Sequence, residues 1–154
     1  MYLSLPLFRH ILIPTDGSAL AAKGIKAGIK LARALGARVS GVYVMQPYLA
    51  PAYSEPAMYM TGAALADWEK AGKAQAKKAL AAIARAAKAA GVRCATRVEE
   101  EMQPWRGILQ AARRGKCDAI AMASHGRGGL GGAILGSQTS RVLAHSKLPV
   151  LVIR

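Results

Sequence analysis

The chain has 154 residues, with 22 Lys and Arg against 8 Asp and Glu, for a formal net charge of +14. Its length fits a single domain over residues 1–154, and 53% hydrophobic residues supply enough apolar surface for a packed core, which excludes intrinsic disorder. Aromatic residues are only 5% of the chain, so the core is expected to be aliphatic and rich in alanine.

The opening residues, MYLSLPLFRHILIP, place no basic segment before the apolar stretch, and no run reaches about 18 apolar residues. Neither a signal peptide nor a membrane span is expected, and the chain reads as cytoplasmic. HILIP, at residues 10–14, predicts a first strand, and Thr15-Asp16-Gly17-Ser18 is turn chemistry in which Asp16 or Ser18 caps a helix. From 19 to 35 the apolar positions Ala22, Ile25, Ile29, Ala32 and Leu35 step by three and four, and Gly36 is placed to end that helix in a left-handed conformation. RVSGVYVM, at 38–45, predicts the second strand.

Residues 46–62 contain Pro47, Pro51 and Pro56 among Tyr48, Tyr53 and Tyr59, and predict a loop. Loops beyond about 12–15 residues in a compact domain are lids, binding loops or disordered insertions. Residues 63–90 predict a long helix with Leu65, Trp68, Ala76, Leu80, Ile83, Ala87 and Ala90 on one stripe and lysines around the rest, ended by Gly91. A third strand is predicted at 92–98, an acidic hinge at Glu99-Glu100-Glu101, and a helix at 104–114 with Trp105, Ile108, Leu109 and Ala112 inward. DAIAMAS, at 118–124, lacks alternation, as a strand covered on both faces does. A glycine-rich loop follows, then a short helix from Gly136-Ser137 to about His145, and a last strand at 149–153. This alternation predicts an open α/β sandwich with a five-stranded parallel sheet, whose ligand site lies where strand order reverses. If the first and fourth strands are neighbours there, the turns after Pro14 and Ala123 share one crevice.

The positive charge opens two readings, a polyanion partner or a solvated basic surface. The basic residues are dispersed along the helices without interleaved aromatics, which weighs against nucleic acid. Cys94 and Cys117 have no metal-ligand spacing and are expected to pack as small apolar residues in a reducing compartment. His10, His125 and His145 do not cluster at metal-binding spacing.

Gly126-Arg127-Gly128-Gly129-Leu130-Gly131 matches G-x-G-x-x-G, but no acidic residue follows Asp118, so the ribose partner expected about 20 positions on is missing. A P-loop fails for want of a lysine before Ser137, and Met122 replaces the first glycine of a nucleophile elbow around Ser124. What remains is a strand, a glycine loop and a helix whose first turn carries Ser137 and Thr139. Backbone N–H groups at such a place form an anion site.

ILIPTDGS at 11–18, together with MASHGRGGLGGAILGSQTSRVLAHSKLPVLVIR at 122–154, resembles the universal stress protein family, and the predicted element order matches it over essentially the whole chain. The family's signature, G-x-x-G, nine residues, then G-[S/T], becomes Ala123 to Gly126, nine residues from Arg127 to Leu135, then Gly136-Ser137. The resemblance implies a three-layer open sandwich, Rossmann-like and similar to adenine nucleotide α-hydrolases, that binds ATP with or without Mg²⁺. It implies that Pro14, Thr15 and Asp16 line the adenosine end, Val44 packs on adenine, and Met122 and Ala123 flank the ribose. Gly126 and Gly136 would give backbone access, and Ser137, Gln138 and Thr139 would supply donors to the phosphates. Arg127, beside the phosphate loop, is a further candidate for pairing with an anion.

Ala123 departs from the family's glycine, so a chain of the same fold that keeps no nucleotide is the alternative reading. No catalytic residue is expected, and hydrolysis is at most slow, because the phosphate loop holds no lysine and no second carboxylate stands near Asp16. The last strand, bare and apolar at the sheet edge, is expected either to pair with its copy in a homodimer or to lie under the chain's own first residues. The expected role is a nucleotide-dependent stress-response module that offers different surfaces to a protein partner in its bound and free states.

Overall fold

The computed structural model describes residues 7–48, 61–126 and 135–154. The elements are β1 (His10–Pro14), α1 (Ala19–Leu35), β2 (Arg38–Met45), α2 (Gly62–Ala90), β3 (Cys94–Glu100), α3 (Pro104–Arg114), β4 (Ala119–Ala123), α4 (Ser137–His145) and β5 (Val150–Ile153). Helix ends follow local chemistry. Ser18 Oγ accepts from the Ala21 amide at 3.1 Å and Thr61 Oγ1 from the Ala64 amide at 3.2 Å, while Gly36 and Gly91 close α1 and α2 at φ 66° and 68°, where a side chain would be strained.

All five strands are parallel, in the order β3-β2-β1-β4-β5. The chain is thus a three-layer α/β sandwich. Alternation along β1 divides the core: Ile11 and Ile13 face α1 and α2 with Ile25, Ile29 and Ile83, whereas Leu12 faces α3 and α4 with Ile108, Ile120 and Val142. Ile11, Leu12 and Ile13 are each fully buried, a contribution of about 1.5–3 kcal/mol apiece. Strand order reverses between β1 and β4, so their C-terminal ends open a crevice.

The acidic hinge expected at Glu99-Glu100-Glu101 is corrected. Glu99 and Glu100 are the last residues of β3, which runs beside β2 until Met45 meets Glu100 and begins at Cys94 rather than Val92. Glu99 is only 5% exposed, held by Arg114 at 2.7 Å and Arg97 at 3.4 Å. Charge compensation from α3 is what lets a carboxylate run end a strand. The stripe on α2 is also shorter than expected: Ala76, Leu80, Ile83 and Ala87 are buried, but Trp68 is 37% exposed and stands edge-on to Tyr48 at 5.7 Å. Gly72 already lies over Met45, the last residue of β2, so the earlier turns of α2 project past the end of the sheet. In α3, Ile108 and Ala112 are buried while Trp105 and Leu109 are only partly so. Most of the loop expected at 46–62, the stretch 49–60, lies outside the described residues, as do residues 1–6 and 127–134, which include Arg127.

Candidate functional site

The turn after β1 is tied down by its own side chains. Thr15 is buried, its amide donates to the Val42 carbonyl at 2.9 Å, and its Oγ1 accepts from the Gly17 amide at 3.1 Å. Asp16 Oδ1 accepts from the Ser18 amide at 2.9 Å, while Oδ2 rests against Gly126, where any Cβ would collide with it. The two loops of the crevice are therefore in direct contact.

The end of β4 is held by one hydrogen bond to β5 and two to the start of α4. The Ser124 amide donates to Ile153 O at 2.7 Å, the Gly136 amide to Ser124 O at 2.8 Å, and Thr139 Oγ1 to Ala123 O at 3.0 Å. Ser124 Oγ and His125 Nδ1 are 3.0 Å apart. Gly136 caps α4 with no side-chain hydrogen bond, so the amides of Ser137, Gln138 and Thr139 lack the helix partners that later residues have. A Cβ on Gly136 would lie 3.1 Å from Ser124 O, so only a very small residue lets the loop close onto β4.

These pieces surround one cleft of about 690 Å³. Pro14, Thr15, Asp16, Val44, Met122, Ala123, Gly126, Gly136, Ser137, Gln138 and Thr139 all line it, which brings together every sequence-predicted site residue except Arg127, which is outside the described residues. Two of them are already engaged. The hydroxyl of Thr139 is given to Ala123 O, leaving its backbone N–H, and Gln138 Oε1 accepts from the Trp105 amide at 3.1 Å, leaving its NH₂ group. Ala123 reaches the cleft beside Gly24 of α1, and its Cβ packs against that glycine.

Sequence reasoning missed the wall that α3 provides. Pro104 and Ile108 line the cleft because Gly107 lets α3 close on Val44: a Cβ there would stand 2.6 Å from Val44 Cγ1. Gln138 then ties α4 to the first turn of α3, where Trp105 Nε1 donates to Gln103 Oε1 at 2.7 Å and the indole stacks on His145 at 4.4 Å. Gly107 in an otherwise good helix was the available signal. His125, which also lines the cleft, sits inside the quoted motif. Asp16 is the sole carboxylate among the described lining residues, and no Lys or Arg is among them. Among the described residues no group of His, Cys, Asp and Glu is arranged to hold a metal ion, and no helix is long and apolar enough to cross a membrane.

A parallel sheet covered by helices on both faces, with a cleft where its strand order reverses, defines a doubly wound α/β fold. The universal stress protein family model matches residues 7–154, and the chain belongs to that family. It is 31% identical over 151 residues to universal stress protein MJ0531 of Methanocaldococcus jannaschii, covering 96% of this chain and 83% of that protein. It is 33% identical over 149 residues to a Thermus aquaticus universal stress protein from the QAH/OAS sulfhydrylase 3′ region, covering 96% and 100%. Among solved structures, UspA of Lactobacillus plantarum superposes with a TM-score of 0.78 at 26% identity, covering 95% and 97% of the two chains. More distant members share the fold alone: a universal stress protein in complex with cAMP at 20% identity and TM-score 0.67 (96% and 97% covered), and one from Archaeoglobus fulgidus with dAMP at 16% and 0.64 (97% and 100%). An Arabidopsis thaliana member with AMP bound stands at 15% and 0.61, with 94% and 90% covered.

Proposed function

We propose that the cleft binds an adenine nucleotide, with ATP, alone or with Mg²⁺, as its ligand, and that the chain is a cytoplasmic stress-response or signalling module that works by binding. The carrying observation is that the uncapped first turn of α4 and the Asp16 turn open onto the same cleft. Phosphates would take the Ser137, Gln138 and Thr139 amides and the free NH₂ of Gln138. The ribose would lie beside Met122 and Ala123 near Asp16, and the adenine would rest on Val44 under the α3 wall. The adenine nucleotides bound by distant family members support the choice of base. With one carboxylate and no lysine among the described lining residues, the site's work is to hold the polyphosphate, and hydrolysis is at most slow.

Calorimetric titration with ATP tests this. Asp16→Ala and Gly136→Val should each weaken binding by about tenfold or more, a loss of at least ~1.4 kcal/mol; unchanged affinity in both contradicts the assignment.

β5 is the outer strand of the sheet with no partner strand on its far side among the described residues, which supports a homodimer, since Leu151 there is 45% exposed and an apolar edge is a pairing template. Antiparallel pairing of residues 149–153 about a two-fold axis would satisfy it. Sedimentation should give the mass of two chains, reduced to one by Leu151→Asp; identical masses contradict this interface.

A further inference from the structure

Helices α1 and α2 together form one outer layer of the sandwich, and they carry ten of the 22 Lys and Arg residues but only two of the 8 carboxylates, Asp67 and Glu69. From Lys70 onward α2 has no acidic residue, and α1 has none at all. All ten cations are exposed, and among the described residues the salt bridges involve Arg97 and Arg114 instead. Dispersed along the chain, these residues argue against a polyanion site; folding gathers them on one face.

We infer that this face docks the phosphate backbone of double-stranded nucleic acid, independently of base sequence. Its geometry fits. Lys26, Lys30 and Arg33 follow one another up α1 along a groove of about 400 Å³, whose opposite wall is the small side chains Ala82, Ala86 and Ala90 of α2. Lys73 and Lys77 flank a second groove on the other side of α2, whose far wall is β3 with Thr96, Val98, Glu100 and an Arg97 already paired with Glu99, so the cations it offers are the lysines of α2. At 1.5 Å per residue the 29 residues of α2 span about 43 Å, the length of roughly a dozen base pairs. Lys26, Lys30 and Arg33 on one flank of that rod and Lys73 and Lys77 on the other can neutralise phosphates on both sides of a groove.

The surface chemistry selects this partner over others. Single strands are gripped by stacking aromatics, and the only aromatic residue in the two helices is Trp68, in the second turn of α2. A membrane-surface helix sets Trp, Phe or Leu beside its lysines, but on the two helices the exposed large apolar residues are Leu20 and Trp68, both in the opening turns at the cleft end, and the remaining one nearby, Val98, is on β3. The basic stretch carries alanine between its charges.

The test is fluorescence anisotropy of the full-length protein with a labelled, mixed-sequence DNA duplex of about 24 base pairs, long enough to span the face. Neutralising about six phosphates predicts an affinity that falls ~10³-fold between about 50 and 200 mM salt. Lys26→Gln/Lys30→Gln/Arg33→Gln should lower the salt slope by about three units, and a second set, Lys73→Gln/Lys77→Gln/Lys88→Gln, should do the same if the first fails to fold. Arg113→Gln/Arg141→Gln/Lys147→Gln removes equal charge from the opposite side and should leave the slope unchanged. Three results would overturn the inference: no duplex binding at low salt, equal losses in the face and control variants, or binding to phosphatidylserine vesicles without binding to the duplex.

Discussion

Ala123 on β4 packs against the bare backbone of Gly24 on α1: a methyl added to Gly24 would stand 3.3 Å from the Ala123 Cβ and 2.8 Å from its amide nitrogen. The methyl that departs from the family's glycine is therefore received by a missing side chain on the neighbouring helix. Gly24→Ala should cost about 1–3 kcal/mol by overpacking, measured by urea denaturation, and Ala123→Gly should recover part of it. In the wild-type background Ala123→Gly should leave ATP affinity within about threefold, a difference under ~0.7 kcal/mol. A large gain in affinity would mean that the methyl obstructs the cleft.

Glu99 and Arg114 make a second cross-element link, at 2.7 Å, between the end of β3 and the last turn of α3. Arg114→Ala leaves a buried carboxylate with only Arg97 at 3.4 Å, and should cost roughly 1–3 kcal/mol. The loss falls below that of a fully buried pair because the arginine side chain is 59% exposed. Glu99→Gln in the same background should restore stability, since the buried charge is gone. Additive losses in denaturation experiments would argue against the pairing.

His10, the first residue of the central strand β1, is buried, with Nε2 2.8 Å from Ser40 Oγ. Burial first, and then the nearby Arg38 charge, lower its pKa below 6.5, against the opposing pull of Asp118. The unfolded chain therefore takes up a proton at a pH where the folded chain does not. Its stabilising effect is complete above pH 6.5 and is lost as the pH falls through the depressed folded value. Urea midpoints should decline as the pH falls below 6.5, and His10→Asn should flatten that decline. An equal decline in the variant would place the acid sensitivity elsewhere.

Burial pushes the Cys117 thiol up to about 11, and it raises that of Cys94 as well. At pH 8 a disulfide reagent should leave Cys117 untouched in the folded protein and modify it in urea, because the thiolate is the reacting form. Cys117 is buried in one cluster with Ile108, Ala111 and Ala112 of α3, and rapid modification in the native state would contradict that packing.

Most of the fold was legible because its punctuation is local. Ser18, Gly36, Gly91 and Pro104 start or stop helices by chemistry confined to one turn, and the apolar runs of β1, β2 and β4 needed no partner to be recognised. The end of β3 was not legible, because the neutralising Arg114 comes 15 residues later. The two loops of the cleft were recognisable from their turn and glycine chemistry. The α3 wall was not, since it depends on Gly107 admitting Val44 and on Gln138 reaching Trp105 across 33 residues.

Nucleotide binding in the cleft is tested most directly by a crystal structure of the protein grown with ATP. Phosphate oxygens should then stand at hydrogen-bond distance, about 2.7–3.2 Å, from the amides of Ser137 and Gln138, with the adenine beside Val44 and the ribose near Asp16. Nucleotide bound elsewhere, or a cleft left empty at saturating ATP, would contradict it.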